Sequence, residues 1–247
     1  MFSVSAAAPN SHWPYPRFIA HRGGGTLAPE NTLAGFREAR HFCFQGIETD
    51  VMLTADGAAV LSHDPVLGRV VKSASPVASL SLKEIKTLDA GSLTAQKWAG
   101  ERIPTLEEAI ETCEANGLFM NIEIKPASES AALATAQETV RIVRKLFEGK
   151  SLPLLSSFSR NALATAAVEA PEIPRGLLLE GIPTDWKEVC MKLAVKTVHP
   201  DWQSVTPDFV EEAHTMGLGV MCYTVDSPDT ADALFTLGVD AVCTNRL

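Results

Sequence analysis

Two neighbouring stretches of the sequence decide the fold, FIAHRGGGTLAPENTL at residues 18–33 and GIETDVMLTADGAAVLSHD at residues 46–64. Three short apolar runs within them carry or precede polar side chains suited to chemistry: His21-Arg22, Glu48 with Asp50, and His63-Asp64. Residues two apart in a strand point to the same face, about 6.6 Å from each other. We therefore expect Glu48 and Asp50 to project side by side from a buried strand.

Strand and helix patterns alternate along most of the chain. The predicted principal strands are Arg17–His21, Ile47–Leu53, Leu118–Lys125, Pro153–Ser156, Arg175–Leu179, Val195–His199, Gly219–Tyr223 and Val239–Cys243. The predicted helices are Thr32–Phe44, Thr105–Ala115, Glu129–Phe147, Arg160–Ala170, Thr184–Leu193 and two that begin at Thr206-Pro207 and Ser227-Pro228. Sustained alternation predicts a parallel sheet, and eight such units in 247 residues predict an α/β fold of the TIM (β/α)8 barrel type.

Residues 65–104 interrupt this alternation after the second principal strand. They carry a small predicted helix at Ser81–Leu88 and a loop that contains glycine and tryptophan. We predict that they form a small compact insertion over the active-site end, and that residues 1–247 form a single domain. Residues 1–16 have no periodicity and predict an arm that packs across one end of the barrel.

Composition excludes several classes of protein. The net charge of −9, without a cluster of lysines or arginines, argues against a nucleic-acid partner. The sequence has no apolar run of about 18 residues, so no membrane span is expected, and residues 1–16 lack the pattern of a secretory signal. Five cysteines without C-x-x-C spacing predict reduced thiols in the cytoplasm. The oligomeric state is open, and a homodimer is one expectation.

Three carboxylates are expected to converge, because Glu123 ends the third principal strand beside Glu48 and Asp50. Hard oxygen ligands of this kind suit Mg²⁺ or Ca²⁺, and a cation between them would relieve their mutual repulsion. The alternative is a purely structural set of salt bridges with Arg22 and Lys125. As functional groups, the same two cations would hold an anionic substrate, since an arginine can grip two phosphate oxygens at once.

Two histidines and three aromatic residues complete the set of candidates. His21 and His63 each follow an apolar run near the carboxylates, which favours acid–base work over a structural role. Phe158, Trp202 and Tyr223 come at or just after predicted strand ends, where they could line a substrate pocket or simply pack.

Taken together, these motifs resemble the glycerophosphodiester phosphodiesterases, most closely the bacterial cytosolic type. The resemblance covers nearly the whole chain and is carried by His21-Arg22-Gly23, PENT at 29–32, Glu48-x-Asp50, His63-Asp64, NIEIKP at 121–126, LLSSF at 154–158, PRGLLL at 174–179 and YTV at 223–225.

The resemblance implies a TIM barrel that hydrolyses glycerophosphodiesters to sn-glycerol 3-phosphate and an alcohol. It further implies a divalent cation on the three carboxylates, an acid–base pair of His21 and His63, and phosphate contacts from Arg22 and Lys125. One departure is that Asn245 follows Thr244, where the family usually has aspartate. Two alternatives stay open: a phospholipase-type barrel enzyme acting on lysophospholipid or sphingomyelin, and a non-catalytic barrel that binds an anion or a metal.

Overall fold

The computed structural model describes residues 12–247 of the chain. Along them the strands are β1 (Phe18–Ala20), β2 (Gly46–Leu53), β3 (Ala59–Leu61), β4 (Phe119–Ile124), β5 (Leu154–Ser157), β6 (Arg175–Leu179), β7 (Thr197–Pro200), β8 (Gly219–Cys222) and β9 (Ala241–Thr244). The α-helices are α1 (Leu33–His41), α2 (Leu82–Ile85), α3 (Leu106–Ala115), α4 (Ala132–Leu146), α5 (Arg160–Glu169), α6 (Trp186–Leu193), α7 (Pro207–Thr215) and α8 (Pro228–Thr236).

Every strand except β3 belongs to a closed parallel barrel, which confirms the predicted fold. The strands follow one another as β1, β2, β4, β5, β6, β7, β8 and β9, and β9 pairs back onto β1. Strand β3 lies outside this ring, antiparallel to the last residues of β2, where Val51 pairs with Leu61. In such a barrel the loops that follow the strands meet at one mouth, where side chains from distant parts of the sequence converge.

Capping residues explain why the helices begin where they do. The Thr32 side chain accepts a hydrogen bond from the Gly35 amide, so the PENT motif ends in an N-cap for α1. Thr105 and Glu108 form a capping box at the start of α3. Pro207 and Pro228 open α7 and α8, where a missing backbone amide has no cost.

Two predicted strands, those that begin at Val195 and Val239, start two residues too early, since β7 begins at Thr197 and β9 at Ala241. Val195 lies just after α6, and its amide is still engaged by that helix, because it donates to the Cys190 carbonyl at 3.2 Å. Ala194 before it has a positive φ of 47°, which turns the chain out of the helix. Strand β7 therefore begins at Thr197.

The amino-terminal end of the barrel is closed by an apolar cluster made of Trp13, Ile19, Leu154, Met221, Ala241 and Cys243. The indole of Trp13 is 2% exposed, and its N–H donates to the Pro16 carbonyl at 2.9 Å. A side chain at Gly219, the first residue of β8, would collide with the His12 carbonyl, so β8 needs glycine at this position. Residues 12–16 thus pack across one barrel end as predicted, while residues 1–11 of the predicted arm lie outside the described residues.

The insertion at 65–104 has a small apolar core of its own, which continues onto β2 and β3. Its buried members are Met52, Val60, Leu67, Val71, Val77, Ile85, Ala90 and Ile103. The predicted helix at Ser81–Leu88 is shorter in the structure, because α2 covers only four residues behind a capping box formed by Ser81 and Glu84. Within residues 12–247, no helix is both long and apolar enough to cross a membrane.

Candidate active site

A cavity of about 900 Å³ opens at the carboxyl ends of the barrel strands. Its walls include most of the side chains proposed from the sequence: His21, Arg22, Glu48, His63, Glu123, Lys125, Phe158 and Tyr223. Asp50 is almost fully buried at its edge, with 1% of the residue exposed. The structure therefore gathers, around one space, groups that are up to 202 residues apart in the sequence.

The three carboxylates do converge. Glu48, Asp50 and Glu123 each offer an oxygen atom, and these three oxygens lie within 4.8 Å of one another. The cause is register, since Asp50 on β2 is the direct partner of Glu123 on β4 and Glu48 lies two residues earlier on the same face. All three residues are at most 7% exposed, so their repulsion is weakly screened.

Each carboxylate has a different set of partners. Oε2 of Glu48 accepts the backbone amide of Arg22 at 3.0 Å, whereas its Oε1 is buried without a hydrogen-bond partner. Asp50 accepts the side-chain amide of Asn31 at 2.8 Å and the ammonium of Lys125 at 3.1 Å. The orphaned oxygen of Glu48 is what an oxygen-ligated cation would satisfy, because buried polar atoms normally have a partner.

These surroundings give the three carboxylates different pKa values. Burial, together with the neighbouring Asp50 charge, raises the pKa of Glu123 to about 8 and that of Glu48 well above its usual range. Burial opposes ionisation of Asp50 as well, but nearby cations, Lys125 foremost, hold its pKa at about 2. The cluster thus has one firmly ionised carboxylate and two that need a further positive charge to ionise.

The turn after β1 is built for close approach. Arg22 has a positive φ of 52°, uncommon for a residue with a side chain, and this conformation aims its amide at Glu48. A side chain at Gly23 would collide with the Phe36 ring, and one at Gly25 would collide with the Asn245 carbonyl. The glycine run therefore permits a tight turn that packs closely against Phe36 and Asn245.

His21 lies between a neutral partner and the carboxylate cluster. Its Nδ1 is 2.7 Å from Oδ1 of Asn245, and its Nε2 is 3.9 Å from Oε2 of Glu48. The amide of Asn245 is in turn held by Asp226, which accepts from its Nδ2 at 3.0 Å. Burial, and to a smaller extent the nearby Arg22 charge, lowers the pKa of His21 to about 4. The imidazole is therefore neutral at pH 7.

His63 has an anionic partner instead. Its Nδ1 lies 2.6 Å from Oδ1 of Asp64, the next residue, and partial burial lowers its pKa although Asp50 and Asp64 oppose that shift. Asp64 also accepts from Nε of Arg69, in the insertion, at 2.8 Å. An imidazole held by a carboxylate can carry a proton more readily than one held by an amide.

Arg22 and Lys125 each reach a different oxygen of Asp50, at 3.8 and 3.1 Å. Nη1 of Arg22 donates to both carboxylate oxygens of Glu30, at 3.2 and 3.1 Å, and its Nε is 3.8 Å from Asp50. Nε of Arg22 is buried without a hydrogen-bond partner. Although burial opposes it, the charges of Asp50 and Glu123 raise the pKa of Lys125, which keeps this ammonium protonated.

Of the three aromatic residues proposed from the sequence, two line the cavity and one does not. Phe158 and Tyr223 both line the cavity, with ring centroids 5.8 Å apart in an edge-to-face pair, and the Tyr223 hydroxyl donates to the Leu179 carbonyl at 2.9 Å. Trp202, in contrast, is not on the cavity wall. Its half-buried side chain packs against the apolar core, and contact of Trp202 with a substrate stays a prediction.

Several residues with a place in this site were not proposed from the sequence. Glu30 and Asn31 are part of the PENT motif but have no predicted role, Asn245 is noted only as a departure from a motif, and Arg69 has no prediction. The sequence signal for the first two was a charged and an amide side chain between a buried strand and a helix cap. No local pattern marks the other two, because their partners are distant in the sequence.

His199 ends a predicted strand but belongs to the barrel interior. It is fully buried, and its Nε2 is 2.9 Å from the Thr197 hydroxyl. Burial lowers the pKa of His199 to about 3, so it stays neutral. Its role is packing beneath the site.

Comparison with known proteins places this geometry in context. Residues 21–247 match the model of the Glycerophosphoryl diester phosphodiesterase family. A glycerophosphodiester phosphodiesterase from Caldanaerobacter subterraneus subsp. tengcongensis is 34% identical over 228 residues, which cover 92% of this chain and 93% of that protein.

Solved structures agree with the sequence matches. A phosphodiesterase from Oleispira antarctica, in complex with the product sn-glycerol-3-phosphate, has a TM-score of 0.90 and 35% identity, over 94% of this chain and 93% of that one. A glycerophosphodiester phosphodiesterase from Agrobacterium tumefaciens has a TM-score of 0.78 and 26% identity, over 93% and 96% of the two chains. These matches favour a phosphodiesterase over the phospholipase-type and non-catalytic alternatives.

Proposed function

This chain belongs to the glycerophosphoryl diester phosphodiesterase family, and we propose that it hydrolyses glycerophosphodiesters to sn-glycerol 3-phosphate and an alcohol with a divalent cation and two histidines. The observation that carries the proposal is the meeting of three buried carboxylates, two histidines and two cations around one cavity. The product bound to the Oleispira antarctica enzyme supports the identity of the substrate class.

The carboxylate cluster fits a divalent cation. Glu48, Asp50 and Glu123 would hold it through oxygen atoms, and the unpaired Oε1 of Glu48 is a vacant acceptor of the kind such an ion takes up. An oxygen-only donor set favours Mg²⁺ or Ca²⁺ over softer metals. When bound, the ion would stabilise negative charge that develops on the phosphoryl oxygens.

Arg22 and Lys125 are proposed to hold the phosphodiester anion. Each is already beside the cluster, and each contacts Asp50, so an anion bound beside the carboxylates would be within reach of both cations. Phe158 and Tyr223 also line the cavity and are proposed to contact the organic part of the substrate.

The two histidines are proposed to move protons in opposite directions. His21 donates its Nδ1 hydrogen to Asn245, which leaves Nε2 as the acceptor and suits it to remove the proton of the glycerol 2-hydroxyl. That oxygen attacks phosphorus, and the bond from phosphorus to the leaving alcohol breaks. His63, supported by Asp64, gives a proton to the departing oxygen. Water then opens the cyclic phosphate, and the two histidines exchange roles.

Attack by the neighbouring hydroxyl is proposed because it is intramolecular. A well-placed internal nucleophile reaches effective molarities of about 10⁵ M or more, far above what an external group offers. Because the leaving alcohol is only protonated and released, we expect glycerophosphocholine, glycerophosphoethanolamine and glycerophosphoglycerol to be cleaved at comparable rates.

We propose that the barrel and the insertion at 65–104 act as one phosphodiesterase domain, since Arg69 of the insertion contacts Asp64. The cytoplasm is the proposed location, supported by five cysteines that are all free thiols. Homodimer formation remains a prediction, which light scattering of the purified protein would measure.

The decisive experiment is incubation of the purified protein with glycerophosphocholine, with and without EDTA, and an assay for sn-glycerol 3-phosphate. We expect product in the presence of Mg²⁺ or Ca²⁺ and its loss on chelation, with recovery when the ion is restored. Absence of product with every divalent cation would contradict the proposed substrate, whereas product in full yield with EDTA would contradict only the metal.

A further inference from the structure

A single arginine of the insertion joins two parts of the candidate site that have no direct contact in the hydrogen-bond network. Arg69 follows β3 by eight residues, and its guanidinium spans Asp64 and Glu30. Its Nε donates to Oδ2 of Asp64 at 2.8 Å, while Nη2 donates to Oε1 of Glu30 at 2.7 Å and Nη1 pairs with the other oxygen. All three nitrogen atoms of the fork are used.

The two carboxylates that Arg69 contacts each hold a proposed functional group on their other side. The second oxygen of Asp64 is 2.6 Å from Nδ1 of His63. Both oxygens of Glu30 accept from Nη1 of Arg22, at 3.1 and 3.2 Å. The chain of contacts therefore runs from His63 through Asp64, Arg69 and Glu30 to Arg22, from the proposed proton donor to the proposed phosphate ligand.

We propose that Arg69 is a positioning residue that sets the geometry of His63 and Arg22 together, and that this is a function of the insertion in catalysis. The inference rests on the proposed function, because it concerns residues given roles there. Arg69 itself does not line the main cavity, so it acts through its two carboxylates.

The geometry explains why an arginine is needed at this position. A guanidinium presents rigid donors that can satisfy two carboxylates at fixed angles, whereas an ammonium is a single point that can be shared only loosely. Without Arg69, Asp64 would keep only the His63 ring and would rotate more freely, because its side chain is 34% exposed. Glu30, whose side chain is 15% exposed, would have only Arg22 as a cationic partner in the hydrogen-bond network. The Arg22 side chain would then shift toward Glu30 and away from its present position.

A second ion pair between barrel and insertion supplies a matched control. Arg37 on α1 donates to Glu101 near the end of the insertion at 3.2 Å, and neither residue contacts a proposed functional group. Arg37→Met removes a guanidinium that ties the insertion to the barrel, just as Arg69→Met does, but it leaves the site alone. The two variants therefore separate attachment of the insertion from positioning of the site.

The test compares kcat and KM for glycerophosphocholine in wild type, Arg69→Met and Arg37→Met, with melting temperatures as a check on folding. Misplaced catalytic groups cost up to about 100-fold, so we expect Arg69→Met to lower kcat by about 10- to 100-fold. We expect KM to rise severalfold as Arg22 is displaced. Arg37→Met should stay within about twofold of wild type in both constants.

Two further variants divide the effect. Asp64→Asn should reproduce most of the fall in kcat, and Glu30→Gln most of the rise in KM. Each should add little when combined with Arg69→Met, because changes along one contact chain are not additive. Additive losses in the double variants would overturn the inference, as would an Arg69→Met enzyme that matches Arg37→Met in both constants. A wild-type protein inactive on every glycerophosphodiester would overturn the proposed function itself, and this inference with it.

Discussion

Nδ1 of His21 and Oδ1 of Asn245 lie 2.7 Å apart, although 224 residues separate them in the sequence. The amide group of Asn245 has a fixed orientation, because Asp226 accepts both its backbone amide at 2.8 Å and its Nδ2 at 3.0 Å. The oxygen of Asn245 must therefore face His21 and accept its hydrogen. This fixes the tautomer of His21 with a free Nε2 toward the cluster, as a general base requires.

Replacing this neutral partner with a charged one should shift the pH dependence. The pKa of His21 is lowered to about 4, and a general base loses activity when pH falls below its pKa. Asn245→Asp places a negative charge beside the ring, which favours the protonated form and raises that pKa by about one unit or more. The acidic limb of the plot of kcat/KM against pH should therefore move to higher pH. Asn116→Asp, which adds the same charge at the end of α3, should leave the limb in place; movement to lower pH in Asn245→Asp would contradict the assignment of His21.

The metal proposal predicts a loss of activity in each ligand variant. Glu48→Gln, Asp50→Asn and Glu123→Gln each remove one of the converging charges, so we expect each to lose most activity and to bind Mg²⁺ or Ca²⁺ more weakly in titration calorimetry. Glu129→Gln is the control, since Glu129 is an exposed carboxylate at the same cavity mouth. Three fully active variants in EDTA would rule out a catalytic metal at this cluster.

Without metal, the same variants should change the free energy of unfolding differently: Asp50→Asn should lower it, whereas the two Glu→Gln changes should not. Asp50 has a pKa near 2 in the folded protein, so its ionised form stabilises the fold above pH 4, and that contribution is lost as pH falls through 2. Asp50→Asn should therefore cost about 2 kcal/mol of unfolding free energy at pH 7. Glu48 and Glu123 have raised pKa values, so their ionisation opposes folding, and Glu→Gln changes there should leave the melting temperature unchanged or raise it. Urea unfolding at pH 7 in EDTA measures all three.

Single changes of the two histidines should act on turnover. General acid–base residues contribute about 10²- to 10⁴-fold, so His21→Ala and His63→Ala should each lower kcat by that range with a smaller effect on KM. His41→Ala, an exposed histidine at the end of α1, should be neutral. Either site variant with kcat within about twofold of wild type would reduce that histidine to a structural role.

A substrate analogue tests the internal nucleophile. 2-Deoxyglycerophosphocholine lacks only the hydroxyl that His21 is proposed to deprotonate, so it should bind comparably but release choline far more slowly. With the normal substrate, phosphorus NMR during turnover should detect a cyclic glycerophosphate. Equal rates for the two substrates would instead indicate direct attack by water.

The sequence was most informative where chemistry and local pattern coincide. The period of two in GIETD places Glu48 and Asp50 on one face, and the alternation of strands and helices brings Glu123 to the same end of the barrel. Caps such as Thr32 and Thr105 follow from local hydrogen bonding, so the helix starts were predictable to within a few residues.

The parts that escaped prediction depend on contacts without local signature. Arg69 stands in an apolar segment, and only the folded insertion brings it between Glu30 and Asp64. Trp202 follows a strand as Phe158 and Tyr223 do, but it lies in a short helical turn and packs, half-buried, against the core. The choice between pocket and core depends on a few backbone angles in a loop, which residue type alone does not determine.

The pairing of β1 with β9 has a consequence for biosynthesis. His21 is among the first residues of the barrel to leave the ribosome, yet its partner Asn245 is added 224 residues later. At about 5–20 residues per second, that interval is on the order of 10–45 s. The proposed metal ligands, Arg22 and His63 are all synthesised once Glu123 has been added, but the barrel cannot close until β9 follows 118 residues later. The nascent chain therefore lacks an oriented His21 until translation has passed the last strand.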